Sequence, residues 1–361
     1  SATTTATSGG SGASGTGVSA GTGAGKTKAF YVPSLLKVAG DLHKPPFTKI
    51  IAIYPRNVLL ADQLREALSE AAKLTPILSR HGLRPIRFGA LLGQTPWRDS
   101  FTKAERDTVQ AVAWNNWEQV TGGFRIPFLR SPLGDTDLVW RDADRVAGRH
   151  CLSPRNDPAA VPHVEDGVLA FTRDELLREP ADVLFLSAEM LNREMGNPDW
   201  DRVLGLRQPA DRTPKLLLLD EVHAYEGMPG AQVAWILRRW RHWARSRSLH
   251  VVGLSATLRD PVRHLAAVAG VRPDDILPFA PDEETGELTS ESQEYNLLVK
   301  GDAGSGAGLL STTIQTGMLL SRLLPPMAWP RSVPGHPFPP EDYFARKVFG
   351  FTDTLDVVNR F

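Results

Sequence analysis

Cysteine is almost missing from the sequence: Cys151 is the only one in 361 residues. That excludes an internal disulfide and any zinc centre built on several thiolates, and leaves Cys151 to be read as a small, half-buried hydrophobe. An excess of charge is missing too, since 41 Lys and Arg balance 41 Asp and Glu. No global field draws the chain to nucleic acid or to a membrane surface, so any contact with a polyanion must be local. No apolar run approaches the length of a membrane span, and the first residues carry neither the basic nor the apolar region of a secretory signal. No membrane partner is expected, and cytoplasmic localisation is the default. The 42% of apolar residues is that of a soluble globular protein with one large core or two ordinary ones.

Residues Ser1 to Gly17 are only Ser, Ala, Thr and Gly, which reads as a lead-in unable to bury apolar area. From Val18 strands and helices alternate. Val18 to Ala20 reads as a strand, and a helix follows from Thr27 to about Val38. Lys49 to Tyr54 is a strand closed by Pro55, and Leu59 to Leu74 has helical spacing. Val183 to Leu186, Leu216 to Leu219 and His250 to Leu254 read as further strands, with helices expected at Glu189 to Glu194 and Ala231 to Arg245. This alternation predicts a mostly parallel sheet flanked by helices, an α/β fold. It is interrupted at about 94–167 by a Trp-rich insert of little clear period.

The stretch around which the rest is arranged is Leu216-Leu217-Leu218-Leu219-Asp220-Glu221. Four apolar residues running into two carboxylates read as a buried parallel strand with acids at its carboxyl end, where open α/β sheets bind ligands. An Asp there can hold Mg2+, and the adjacent Glu can orient or deprotonate a water that attacks a nucleoside triphosphate. A second element fits this one. Ala20-Gly21-Thr22-Gly23-Ala24-Gly25-Lys26-Thr27 has the spacing of a phosphate-binding loop, with Ala20 where the general motif has Gly. Glycines let backbone N–H groups wrap the phosphates, and the following helix aims its positive end at them. Lys26 would neutralise phosphate, and Thr27 would offer its hydroxyl to Mg2+.

With these residues on the page, a family resemblance can be stated. Asp220-Glu221-Val222-His223 resembles the DExH box of superfamily 2 helicases, Ser255-Ala256-Thr257 resembles their motif III, and Ala20 to Thr27 their motif I. Tyr54-Pro55-Arg56-Asn57, followed by Leu60, resembles motif Ia. Ser187 to Asn192 is similar to motif Ib, and Lys347 to Phe351 with Thr352-Asp353 to motif IV. The combination of motif details resembles the large helicases of bacterial phage-defence clusters such as DISARM, with relatives acting in DNA repair also open.

The resemblance implies a RecA-like P-loop NTPase domain over residues 18–272 carrying the insert. A linker with a helix would span 273–340, and the start of a second RecA-like domain would span 341–361. It implies ATP with Mg2+ as cofactors and Glu221, Lys26 and Asp220 as catalytic residues. His223, Ser255 and Thr257 would couple nucleotide state to the second domain. Pro55, Arg56, Asn57, Arg173, Glu189 and Asn192 would form the nucleic-acid face, DNA being expected before RNA. Subunits of a defence complex are further expected partners.

Three departures qualify the carry-over. No adenine-reading segment precedes motif I. Motifs V and VI lie beyond Phe361, so this stretch alone is expected to bind nucleotide better than it hydrolyses it. The insert around Phe124 to Pro132 and Cys151 to Pro154 looks like a zinc ribbon but lacks the thiolates, so zinc is not expected and His150 and His163 read as packing or surface residues. Trp235, Trp240 and Trp243, with Trp114, Trp117 and Trp140, read as packing groups before base-stacking ones. The alternative reading is a nucleotide-dependent interaction switch or scaffold that moves no strand.

Overall fold

The structure is a computed structural model that describes residues 14–19, 26–97, 116–157, 161–246, 248–255, 260–279, 315–316 and 318–319. The chain divides into two units, Ser1–Leu288 and Thr289–Phe361. In the second, only 315–316 and 318–319 are described, as helix; the motif IV expectation at Lys347 to Asp353 lies outside the described residues, as does Trp114.

In the first unit the strands are β1 (Ser14–Ser19), β2 (Ile50–Ile53), β3 (Phe88–Leu91), β4 (Glu118–Val120), β5 (Gly123–Arg130), β6 (Asp137–Arg141), β7 (Ser153–Pro154), β8 (Leu169–Ala170), β9 (Val183–Leu186), β10 (Leu216–Leu219), β11 (His250–Ser255) and β12 (Ile276–Phe279). The α-helices are α1 (Lys26–Ala39), α2 (Asn57–Arg80), α3 (Asp142–Val146), α4 (Arg173–Arg178), α5 (Ala188–Glu194), α6 (Asp201–Leu204), α7 (Gly227–Ala244) and α8 (Pro261–Ala269). Eight strands form one sheet in the order β12-β1-β11-β10-β2-β9-β3-β8, and every pairing is parallel. All their carboxyl ends therefore meet one edge.

The short apolar runs are strands because they are buried on both faces. Ile50, Ala52, Leu216, Leu218 and Phe185 pack with Phe30, Tyr31 and Leu35 of α1 and Leu60 and Leu64 of α2. The alternate residues Ile51, Ile53, Leu217, Leu219, Leu184 and Leu186 pack with Leu191 of α5, Leu237 and Trp240 of α7 and Leu265 of α8. A period of two on a sheet covered by helices leaves no polar side, which is why the sequence runs apolar without alternating. Each such side chain stabilises the fold by about 1.5–3 kcal/mol on burial.

Several boundaries differ from expectation. β1 starts at Ser14, four residues before Val18, so the end of the lead-in belongs to the sheet. Its small residues are required there: a Cβ at Gly15 would meet Ile276 Cγ1 at 3.2 Å and the Val251 carbonyl at 3.3 Å. The sheet also continues past 272 into β12, which pairs with β1 as an edge strand and so tolerates Pro278. α2 runs on to Arg80 through Pro76. α7 begins four residues before Ala231.

The insert is a second, antiparallel sheet in the order β4-β5-β6-β7. Trp117, Phe128, Trp140 and Phe171 meet edge to ring, with His150 stacked on Trp140 at 5.4 Å between centroids. His163 shares a 2.7 Å hydrogen bond with Ser131 through Nδ1. Both histidines are packing groups, and the Trp117 and Trp140 rings are too deeply buried to stack on bases. Trp240 is likewise core, whereas Trp235 is 69% exposed and takes no part in the core. Arg65 of α2 holds the insert by donating to the Ser131 and Gly134 carbonyls.

Candidate nucleotide and nucleic-acid site

Along the carboxyl edge the strand ends follow in the order Ser19, Ser255, Asp220, Tyr54, Ser187. β1 leads into residues 20–25 and then α1, and β11 ends at Ser255. Leu219 is in register with Ile53, and Ile53 with Leu186. The phosphate-loop candidates Ala20, Gly21, Thr22, Gly23, Ala24 and Gly25 lie outside the described residues, as do Thr257 and the side chains of Lys26 and Thr27. What is described is the bracket around them, a strand and a helix that starts at Lys26.

Asp220 is buried, its N–H donating to the Ile53 carbonyl at 3.3 Å and continuing the β10–β2 ladder past the strand end. Its Oδ1 accepts the Glu221 N–H at 2.8 Å. Glu221 itself is left-handed, φ 48° and ψ 49°, a conformation that costs a non-glycine residue about 1–2 kcal/mol. The turn reverses the chain sharply and brings the Glu221 carboxylate back to His223, with Oε2 and Nδ1 3.1 Å apart. His223 Nδ1 lies 3.4 Å from Ser255 Oγ, so the ends of β10 and β11 are joined through His223. The His223 side chain is 39% exposed and is not a core histidine. Val222 anchors the turn: it is buried, and its carbonyl faces His264 Nε2 of α8 at 2.9 Å. Asp260 caps that helix, its side chain accepting from the Arg263 N–H at 3.1 Å.

The donor set suits a hard divalent cation. A carboxylate stands at the end of β10, one strand removed from the β1–α1 bracket, and a second, partly exposed carboxylate follows it.

Pro55, Arg56 and Asn57 follow Tyr54, with Arg56 and Asn57 exposed and Asn57 opening α2. On the neighbouring strand Ser187 caps α5, its Oγ accepting the Met190 N–H at 3.2 Å, which leaves Glu189 and Asn192 exposed on that helix. Asn192 accepts from Arg239 of α7 at 3.0 Å. The structure thus brings Pro55, Arg56, Asn57, Glu189 and Asn192 to one edge and adds Arg239 through its hydrogen bond to Asn192.

Arg173 does not belong with them. It is 2% exposed, pairs with Glu194 at 2.7 Å, donates to the Thr95 and Leu92 carbonyls, and lies over the rings of Trp97 and Trp200. Every direction its guanidinium can donate is turned inward, so its role is structural. Nothing in the sequence pairs Arg173 with Glu194, because the two meet only through the packing of α4 and α5.

Three tyrosines were also missed. Tyr31 of α1 and Tyr54 share a hydroxyl hydrogen bond, and Tyr225, just past the His223 turn, is 5% exposed with its hydroxyl lacking a hydrogen-bond partner among the described residues. Burial raises all three phenols above their ordinary range, and the Asp220 charge adds to the effect in each.

No family model matches the chain. Over 325 residues it is 28% identical to Druantia protein DruE of Escherichia coli, a match covering 78% of this chain and 17% of that protein. Over 103 residues it is 32% identical to ATP-dependent helicase hrq1 of Schizosaccharomyces pombe, covering 28% of this chain and 9% of the helicase. DruE and hrq1 are thus among the chain's homologues. The chain spans less than a fifth of the length of the curated relatives it matches. Among solved structures, the Mycobacterium smegmatis helicase Lhr bound to ssDNA and AMP-PNP aligns over 74% of this chain and 24% of its own at 20% identity, with a TM-score of 0.44. The fold itself is α/β, a parallel sheet with helices packed on both faces.

Proposed function

We propose that this chain is the ATP-binding RecA-like domain of an ATP-driven nucleic-acid helicase or translocase. The observation that carries the reading is the order of strand ends on one edge. The β1–α1 bracket, Ser255 and Asp220-Glu221 are followed directly by the two turns that expose Arg56, Asn57, Glu189 and Asn192. Nucleotide chemistry and strand contact are neighbours on a single rigid sheet.

In this reading Ala20 to Gly25 wrap the phosphates with backbone N–H groups, Lys26 neutralises them, and Thr27 with Asp220 holds magnesium. When bound, Mg2+ supplies charge that offsets the build-up on the transferring phosphoryl group. Glu221 accepts the proton of the attacking water, oriented by His223. His223, Ser255 and Thr257 pass the nucleotide state to the second RecA-like domain. Arg56 and Asn57 with Asn192 contact the backbone of a nucleic-acid strand, and Glu189 orders neighbouring donors. The motif-level resemblance to defence-cluster helicases and the similarity to DruE support a role in defence against phage, with DNA as the track.

The test is the ATPase rate of the intact protein with and without single-stranded DNA, duplex DNA and RNA, with Lys26→Ala as control. Stimulation by one polymer, lost in the variant, is the expected result and names the track. Nucleotide binding with no polymer-stimulated turnover would replace the motor with a nucleotide-dependent interaction switch.

A further inference from the structure

We propose that the Tyr31–Tyr54 hydroxyl pair is the positioning element that carries nucleotide occupancy to the strand-contacting turn at Pro55, Arg56 and Asn57. The inference rests on the reading given under Proposed function. Tyr31 sits on α1, one and a half turns past Lys26, and so moves with the helix that would face the phosphates. Tyr54 follows Ile53, which is in register with Leu219, so it stands beside Asp220 on the next strand. It also immediately precedes Pro55. Among the described residues, this pair is a direct side-chain link between the phosphate-facing helix and the turn that exposes Arg56.

The geometry of the pair is suited to two states. Both side chains are 1% exposed, and both rings stack on Phe185, Tyr54 at 5.6 Å and 2° between planes and Tyr31 at 6.3 Å. The rings cannot swing out, so the freedom that remains is in the hydroxyl protons. Either oxygen can be the donor in the hydrogen bond they share. Two hydroxyls carry two protons and their mutual bond uses one, so the other must go to a further acceptor or be left unsatisfied in the core. The carboxylate whose charge acts on both is Asp220, the proposed magnesium ligand. A cation on Asp220 changes the field at the pair and so favours one direction of donation over the other. A change of donor also alters the separation the two oxygens prefer, and because Tyr54 is pinned by its N–H to the Leu186 carbonyl at 3.2 Å and Pro55 has a fixed φ, that small adjustment at Tyr54 reaches Arg56 through one constrained residue.

The experiment compares the affinity of the intact protein for fluorescein-labelled single-stranded DNA, duplex DNA and RNA with and without magnesium AMP-PNP. It is run on the wild type, Tyr31→Phe, Tyr54→Phe and the double variant, with thermal unfolding measured on each. The wild type is expected to bind one polymer with an affinity that the nucleotide shifts at least about fivefold. Each single variant should bring that ratio to within about twofold of unity. Single variants strand one hydroxyl and lose stability, whereas the double variant strands none and regains it. Coupling should stay lost in the double variant even as stability returns, a separation that a merely structural role would not give. An unchanged ratio in both single variants, or a ratio restored in the double, overturns the inference and leaves the helicase reading standing. A wild type whose affinity for all three polymers ignores the nucleotide overturns that reading and the inference with it.

Discussion

Before β9, at the amino edge of the central sheet, one carboxylate is buried and fully matched; at the carboxyl edge charge is half exposed and held in strain. Asp182, 0% exposed before β9, accepts from Lys49 Nζ at 2.7 Å, from Arg84 at 2.6 and 2.8 Å and from the Arg87 N–H at 2.9 Å. Its two oxygens have no unused acceptor direction of consequence. On the opposite edge Glu221 is left-handed, its contact with His223 is about one third exposed on each side, and the Tyr225 hydroxyl is buried without a partner among the described residues. The same parallel strands supply both edges, so the contrast cannot come from the sheet. One edge ties the layers together, and the other keeps strained and incompletely satisfied groups where a ligand would complete them.

The contrast is broken most strongly at Asp182. Asp182→Asn leaves Lys49 and Arg84 without their counter-charge, and unfolding in urea should show a loss of about 3–5 kcal/mol. The acid limb gives a second check. Burial pushes the Asp182 carboxyl up, but the Arg84 hydrogen bonds and the Lys49 charge prevail and hold it below its ordinary 3.8. A folded value below the unfolded one means that the stability is fully present above the ordinary value and is lost as pH falls through the folded value. Asp182→Asn should therefore flatten the stability profile below about pH 4. A variant that unfolds in acid as the wild type does would remove Asp182 from that role.

Glu221→Gln is the matching change at the other edge, and its effect should fall on chemistry. Polymer-stimulated hydrolysis should drop by at least about 100-fold, close to 3 kcal/mol of barrier, while nucleotide affinity and unfolding stay near wild type. Full turnover in this variant would contradict the water-activating assignment.

How much of this was legible depends on where each interaction is made. Leu216 to Leu219 and Val183 to Leu186 read correctly as strands because burial on both faces is written locally, as an unbroken apolar run. The acids after Leu219 were legible for the same reason. Ser14 to Gly17 were not, because their strand is defined by β11 and β12, whose partners lie more than 230 residues away, Ser14 beside His250 and Gly15 beside Ile276. Small residues that read as a linker are what a strand squeezed between two others needs. Arg173 looked like a phosphate contact because its type and loop position were visible, whereas Glu194, Trp97 and Trp200 around it were not. The tyrosine pair was hidden in a different way, each hydroxyl being unremarkable until the sheet sets Tyr54 next to Asp220.

Two arginines sharpen the comparison at smaller scale. Arg56→Ala should leave stability unchanged, lower strand affinity several-fold and reduce the slope of log affinity against log salt by about one phosphate contact. Nucleotide affinity should hold. Arg173→Ala should do the reverse, costing stability through the stranded Glu194 carboxylate with no change in salt slope. Salt titrations of strand binding beside thermal unfolding separate the two, and a lost phosphate contact at Arg173 would reverse the correction made from its burial.

The smallest expected effect tests the strain itself. Replacing a left-handed non-glycine residue by glycine removes about 1–2 kcal/mol of steric cost and adds about 0.5–1 kcal/mol of unfolded-chain entropy, for a net gain between about 0 and 1.5 kcal/mol. Glu221 at φ 48° and Arg245 at φ 51°, which closes α7, are the matched pair for this measurement. Arg245→Gly should raise the unfolding midpoint slightly and leave hydrolysis intact. Glu221→Gly should raise it by a similar amount and abolish hydrolysis, because only there does the strained residue also carry the carboxylate proposed to activate water. If Glu221→Gly instead lowers the midpoint, the Glu221–His223 contact outweighs the strain, and the carboxyl edge is held by that contact as the amino edge is held by Asp182.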